Sequence, residues 1–232
     1  MAILERWHPE TSYFHLPHGE ITITLDDVAC LLNLPIKSTL LGYDRLTKEE
    51  VMEMMIEELG ASPADALEKV ERTRGAHVRF HFLQRIYDAE LLAAHEAVGD
   101  EAEVNIHRER VLRCYFLYLI GTQLFVYTSS TYTEVAYLAY LSDLARVHEY
   151  NWGADTLAYN YHILGVGCLW KERSVAGSCT LLVGCILQQF PDIIGWGEVL
   201  GYTATMSRAI AFAPLRGNQV SDPYKRCLDC MV

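Results

Sequence analysis

Apolar residues recur at three- and four-residue spacing along most of this chain, and short aromatic or β-branched runs are confined to its start. Tyr13 to Leu16 and Ile21 to Thr24 are β-prone, and Pro17, His18, Gly19 and Glu20 between them supply turn chemistry, which predicts a small hairpin. Thr24 then stands at a helix N-cap with Asp27 three residues on, the spacing of a capping box. Val28, Leu31 and Leu32 form that helix's apolar stripe, and Asn33, Leu34 and Pro35 end it.

Helical spacing dominates beyond Pro35. Thr47 with Glu50 is a second capping box, and Val51, Met54, Met55 and Leu59 mark a buried face that stops at Gly60. Ser62, Pro63 and Asp65 start a third helix, since proline at the first helical position sacrifices no hydrogen bond. Val78, Phe82, Leu83 and Ile86 predict a fourth, continuing through Leu91 and Leu92. A polar loop around Gly99 to Glu103 precedes an apolar helix from about Val104 to Gly121. Tyr132 to His148 has helical spacing through Val135, Leu138, Leu141 and Leu144. After an interruption at Trp152, Gly153 and Ala154, further helices are expected through Leu157, Tyr161 and Leu164, and from Val175 to Phe190 before Pro191. Strands and helices do not alternate, so a parallel-sheet enzyme fold is excluded in favour of a mainly α fold, a single multi-helix domain with a small N-terminal β-hairpin.

Composition narrows the class. Apolar residues are 51% and charged residues 21% of 232, enough for a sizeable core, with no low-complexity linker dividing the chain. The longest apolar stretch, Val111 to Tyr127, carries Arg113 and Gln123 and falls short of the ~20 apolar residues of a membrane span, so it reads as a buried helix. The opening Met1 to Trp7 is too short and polar for a secretory signal, and seven irregularly spaced cysteines fit reduced thiols.

A net charge of −11 weighs against a protein that binds nucleic acid mainly through phosphates. Two local basic clusters stand against that background. One holds Arg72, Arg74, Arg79 and Arg85 with His77 and His81; the other holds His107, Arg108, Arg110 and Arg113. Both read first as solvated helix faces, and the four arginines of the first are the candidate nucleic-acid face.

Catalytic motifs are missing from the sequence. Cys227 and Cys230 form a lone CxxC without the further ligands that zinc requires. His77 and His81 would share a helix face but lack the glutamate of HExxH. Neither GxSxG nor GxxxxGK[ST] occurs, and the pairs Gly165/Gly167 and Gly195/Gly197 lack the setting of a dinucleotide loop. Asp26 and Asp27 suit a first helical turn. The expectation is therefore no enzyme, no catalytic residue, no cofactor and no metal.

The segment Glu5 to Pro35, ERWHPETSYFHLPHGEITITLDDVACLLNLP, resembles the opening of the plant mobile domain family, with its W-x-P-E-T, F-H-L-P-x-G-E and T-L-x-D-V-A-x-L-L-x-L-P patterns. Arg113 to Gly121 is similar to the family helix ending in L-I-G, and Tyr150 to Ala154 to its N-W-G-x-A segment. Val175 to Pro191 is similar to its glycine-led apolar helix, although His18 replaces a cysteine common in the family and the usual tryptophans of that helix are missing. The matching motif residues are Trp7, Pro9, Glu10, Phe14, His15, Pro17, Gly19, Thr24, Asp27, Val28, Leu34, Pro35, Trp152 and Gly153, for which structural roles (packing, turn geometry, capping) are expected. The resemblance places the domain at residues 5–191, with 192–232 as a shortened C-terminal remainder.

The resemblance also implies a function. It is that of a non-catalytic nuclear interaction module in transposon silencing, gene-expression regulation and meristem maintenance, scaffolding nuclear proteins that include a protein phosphatase 7-like partner. A transposon-derived DNA-binding domain and a degenerate mobile-element copy are the alternatives. An aminotransferase activity, which one label of the family evokes, needs a Schiff-base lysine in a phosphate-cradling fold, and none of Lys37, Lys48, Lys69, Lys171 and Lys225 has that context. No membrane association is expected.

Overall fold

Short polar side chains set where the helices begin. In the computed structural model, Thr24, Thr47, Asp100, Asn151 and Ser178 each accept a hydrogen bond from a backbone N–H in the first turn of the succeeding helix. The structure describes residues 3–17, 19–42, 45–73, 76–127, 131–168, 176–190, 197–199, 201–203 and 205–213. They are mainly helical and group into two compact units, Met1–Leu40 with Asn151–Val232, and Leu41–Tyr150.

The first unit opens on three antiparallel strands, β1 (Trp7–His8), β2 (Tyr13–Leu16) and β3 (Gly19–Ile21), rather than a two-stranded hairpin. The additional strand is short, and its turn is made by Ser12 in the left-handed region (φ 58°), which no propensity at Trp7 and His8 announces. The capping box at Thr24 and Asp27 is formed in both directions, and α1 (Leu25–Leu32) closes on Asn33 in the left-handed conformation. Helices α6 (Trp152–Gly167) and α7 (Cys179–Gln189) pack on α1. Trp152 thus starts a helix instead of interrupting the chain, because Asn151 caps it. The core gathers Trp7, Phe14, Ile23, Val28, Leu31, Leu164, Leu181 and Leu182. Gly184 lets α7 approach closely, since a Cβ there would lie 3.1 Å from Leu31. The backbone of β6 (Gly197–Glu198) pairs with β7 (Phe212–Ala213). The predicted helix start at Val175 and its stop at Pro191 lie outside the described residues.

The second unit contains α2 (Lys48–Glu57), α3 (Pro63–Thr73), β4 (His77–Arg79), α4 (Phe80–Glu96), α5 (Glu101–Leu119) and β5 (Tyr132–Glu134). Both predicted helix starts hold: Thr47 and Glu50 form a complete capping box, and Ser62 Oγ accepts from Asp65 N–H. Val78 belongs to a strand, not to the helix expected around it, because β4 pairs with β5 and the helix begins only at Phe80. Residues 132–148 likewise do not form one helix. They contribute β5 and two 3-10 helices, Val135–Tyr140 and Leu144–Glu149, the second capped by Asp143. Leu138 and Leu141 are still fully buried, so the apolar spacing reported burial correctly and helix type wrongly. After α5 the backbone widens into a π-helix, Ile120–Leu124. Gly121 there sits against β5, where a Cβ would come within 2.5 Å of Thr133.

Candidate functional site

The first basic cluster is spread over three elements, so its residues do not form one helix face. Arg72 lies in the last turn of α3, His77 and Arg79 in β4, and His81 and Arg85 on α4. His77 and His81 therefore lose the helical spacing assumed for them. Arg74 lies outside the described residues. Arg85 turns to Asp65 at 2.6 Å and lies 5.3 Å from the Phe82 ring centroid, while Arg72 pairs with Glu68 at 2.8 Å. The Asp65 carboxyl is held below its usual range by Ser62 first and Arg85 second. What converges instead is a cavity of about 600 Å³ lined by Lys69, Arg72, His77, Arg79 and Tyr132. Lys69, which no sequence motif singles out, joins because it lies one turn before Arg72 on α3.

Three members of the second basic cluster, His107, Arg110 and Arg113, turn to carboxylates, while Arg108 is exposed. His107 Nδ1 meets Glu90 at 2.5 Å and Arg110 approaches the same carboxylate at 3.5 Å. Arg113 is buried; it donates to the carbonyls of Leu141 and Ser142 and pairs with Glu58 and Glu109 at 3.1 and 3.0 Å. These groups partner carboxylates inside the second unit, as buried polar groups must.

Helix α5 is not buried as its apolar character suggested. Arg113, Cys114 and Leu117 face inward, but Leu112, Tyr115 and Tyr118 are 44, 48 and 45% exposed. Two stripes at helical spacing run through the same segment, and the packing of α4 and of the 3-10 helix Val135–Tyr140 against α5 separates core from surface. Tyr115 and Tyr118 border a groove of about 540 Å³ with Phe80, Tyr87, Asp88 and Cys114, and Leu91, Leu92 and Ile106 are also outward.

The buried thiols are unsuited to nucleophilic work, which needs thiolate. Burial, with Glu90 as a smaller contributor, pushes Cys114 up to about 12. Burial, with Asp27 contributing less, does the same for Cys185, also to about 12. Among the described residues no three His, Cys, Asp or Glu side chains are grouped to hold a metal, and no helix is long and apolar enough to cross a membrane. Cys227 and Cys230 lie outside them.

The motif residues cluster in the first unit. Trp7 and Phe14 are buried with ring centroids 4.8 Å apart, and Tyr161 lies 5.4 Å from Trp7. His15 stacks on His8 and meets Glu20 at 3.2 Å, while Pro9, Glu10 and Pro17 are exposed and Gly19 adopts φ 146°. Thr24, Asp27 and Val28 start α1, and Leu34 and Pro35 follow its end. The Pro35 carbonyl receives the N–H of Gly153, next to the buried Trp152. The motifs at residues 5–35 and 150–154 are thus two sides of one packed junction.

A family model described as the plant mobile domain matches residues 1–192. The chain belongs to the plant mobile domain family. Within that family it is 35% identical over 181 residues to Protein MAIN-LIKE 1 of Arabidopsis thaliana, a match covering 78% of this chain and 33% of that protein. Against Protein MAINTENANCE OF MERISTEMS of the same plant, identity is 30% over 184 residues, covering 79% of this chain and 35% of that protein. A Serine/threonine-protein phosphatase 7 long form homolog of Arabidopsis thaliana is 32% identical over 182 residues, covering 78% of this chain and 12% of that protein. The match thus spans about a third of the length of each of these two MAIN-type proteins. No solved structure matches.

Proposed function

We propose that this plant mobile domain is a non-catalytic interaction module of the nucleus. It acts in transposon silencing and gene-expression regulation, and scaffolds nuclear proteins that include a phosphatase 7-like protein. The observation that carries this reading is the outward face of α4 and α5, where Leu92, Leu112, Tyr115 and Tyr118 are exposed beside a groove. Exposed apolar and aromatic groups on this scale mark protein contacts more often than substrate sites. The occurrence of a related domain in a phosphatase 7 long form homolog supports a phosphatase-linked setting.

The test is affinity purification of the tagged chain from plant nuclei, beside a Tyr115→Ser/Tyr118→Ser variant. Recovery of silencing factors or a phosphatase 7-like protein with the parent and their loss with the variant is the expected result. Identical recovery with both removes the α4–α5 face from the interaction. A parent chain that retains no nuclear protein sinks the module itself.

A second reading, direct DNA binding, draws on Arg72, Arg79 and Arg85. Two of these are paired with carboxylates on α3, which lowers the free positive charge available to phosphates. Anisotropy with a labelled duplex at low salt tests it; salt-sensitive binding lost on Arg79→Glu would favour DNA over the module.

A further inference from the structure

The cavity beside α3, β4 and β5 is lined by three permanent cations, and no carboxylate lines it among the described residues. Lys69 and Arg72 reach it from one face of α3, Arg79 and His77 from β4, and Tyr132 from β5 directly opposite Arg79 in the strand register. Such a cluster concentrates positive charge locally in a chain whose net charge is −11.

Lys69 Nζ sits 4.9 Å from the Phe82 ring centroid, which steadies the ammonium. Arg72 is tied to Glu68 only by an exposed i,i+4 pair, and such pairs exchange partners readily. Arg79 is exposed and has no ion pair among the described residues. The His77 ring lies 4.9 Å from that of Tyr132, and its buried Nδ1 has no hydrogen-bond partner among the described residues. Glu134, the nearest carboxylate along β5, already accepts from the Tyr127 hydroxyl.

We infer that this cavity binds a phosphate monoester carried on a protein chain, a phosphoserine or phosphothreonine side chain of a partner. A compact dianion satisfies Arg79 through its forked donors, Lys69 as a point charge and the Tyr132 hydroxyl as a neutral donor. Arg72 then exchanges Glu68 for phosphate. A polynucleotide fits less well. The cations line one cavity rather than a stripe that follows successive phosphates, and Asp65 and Glu68 flank it on α3. The inference deepens the interaction-module reading and rests on it.

The experiment is fluorescence polarisation of the whole chain with two labelled peptide pools differing only in phosphorylation of one fixed serine, at about 150 mM salt. The phosphorylated pool should bind about tenfold to a hundredfold tighter, the range expected for charge-assisted hydrogen bonds. Arg79→Ala and Lys69→Ala should abolish that preference while Arg85→Ala, outside the cavity, preserves it; circular dichroism confirms that the variants fold. Equal binding of the two pools overturns the inference, as does an equal loss in Arg85→Ala, or a tenfold preference for a DNA duplex over the phosphopeptides. Recovery of the same nuclear partners from phosphatase-treated and untreated extracts also overturns it, while leaving the module reading intact.

Discussion

The N–H of Gly153 donates to the carbonyl of Pro35 at 2.9 Å, and this contact joins segments that lie more than a hundred residues apart. A Cβ at Gly153 would sit 2.7 Å from that carbonyl oxygen and 2.7 Å from Ile36 Cγ2. Asn151 reinforces the junction by donating to Ile36 and Thr39 while capping α6. Gly153→Ala should therefore lower stability by about 1–3 kcal/mol, the usual penalty of overpacking a site whose neighbour is backbone. Gly167→Ala, with open space around it at the end of the same helix, is the control and should be close to neutral. Thermal unfolding of the two variants decides; equal melting temperatures would remove the junction from the fold's support.

Trp7 anchors the strands to the first unit's core through Phe14 and Tyr161. Trp7→Ala should cost about 3–5 kcal/mol, as large aromatic deletions do. Its Nε1 has no hydrogen-bond partner among the described residues, so Trp7→Phe should be much milder. Urea denaturation of both variants checks the order.

Glu90 is the acceptor shared by His107 and Arg110, and it is 7% exposed. Replacing it with alanine leaves two half-buried donors facing a void, for an expected loss of about 3–5 kcal/mol. Glu90→Gln keeps the shape and one acceptor and should cost less. Gly60 is bound to the same spot: its φ is +78° and a Cβ would lie 2.0 Å from Glu90 Oε1. Gly60→Ala should thus be destabilising in both the parent and the Glu90→Gln background, because the backbone conformation itself resists a side chain. Guanidinium unfolding curves of the parent, Glu90→Ala, Glu90→Gln, Gly60→Ala and the Gly60→Ala/Glu90→Gln double variant test this.

Cys114 and Cys185 have folded pKa values of about 12, raised from 9.0 mainly by burial. A group whose pKa is raised on folding supports stability fully below its unfolded value, and that support is lost as pH climbs toward the folded one. Stability should therefore fall between about pH 9 and 12 as the unfolded thiols ionise. The double variant Cys114→Ala/Cys185→Ala, though less stable overall, should show a shallower fall. Denaturant midpoints measured across that range would contradict the assignment if the two slopes coincide. Near pH 8, alkylation of the native protein should reach the exposed Cys30 and spare both buried thiols.

Much of this protein is set by local sequence. Thr24 with Asp27, Thr47 with Glu50 and Ser62 with Asp65 start their helices where the spacing says, since a cap is satisfied within one turn of chain. Asn33 stops α1 for an equally local reason, its tolerance of the left-handed conformation. Part of the buried set, Leu138 and Leu141 included, was also legible, because transfer from water depends on side-chain chemistry before geometry.

Tertiary structure alone settled the rest. Val78 and Thr133 became strand partners through pairing across more than fifty residues, which no local propensity encodes. Arg72, Arg79 and Arg85 separated, two of them claimed by Glu68 and Asp65, and Lys69 took a place beside Arg79 only when α3 met β4. Arg113 and His107 turned inward because carboxylates waited there, at Glu58 and Glu90. Tyr115 and Tyr118 stayed half-exposed, bordering a groove beside α4, because packing elsewhere took Arg113, Cys114 and Leu117 inward. A charge or an aromatic ring takes its energy from whatever surrounds it, and those surroundings exist only once distant elements have packed.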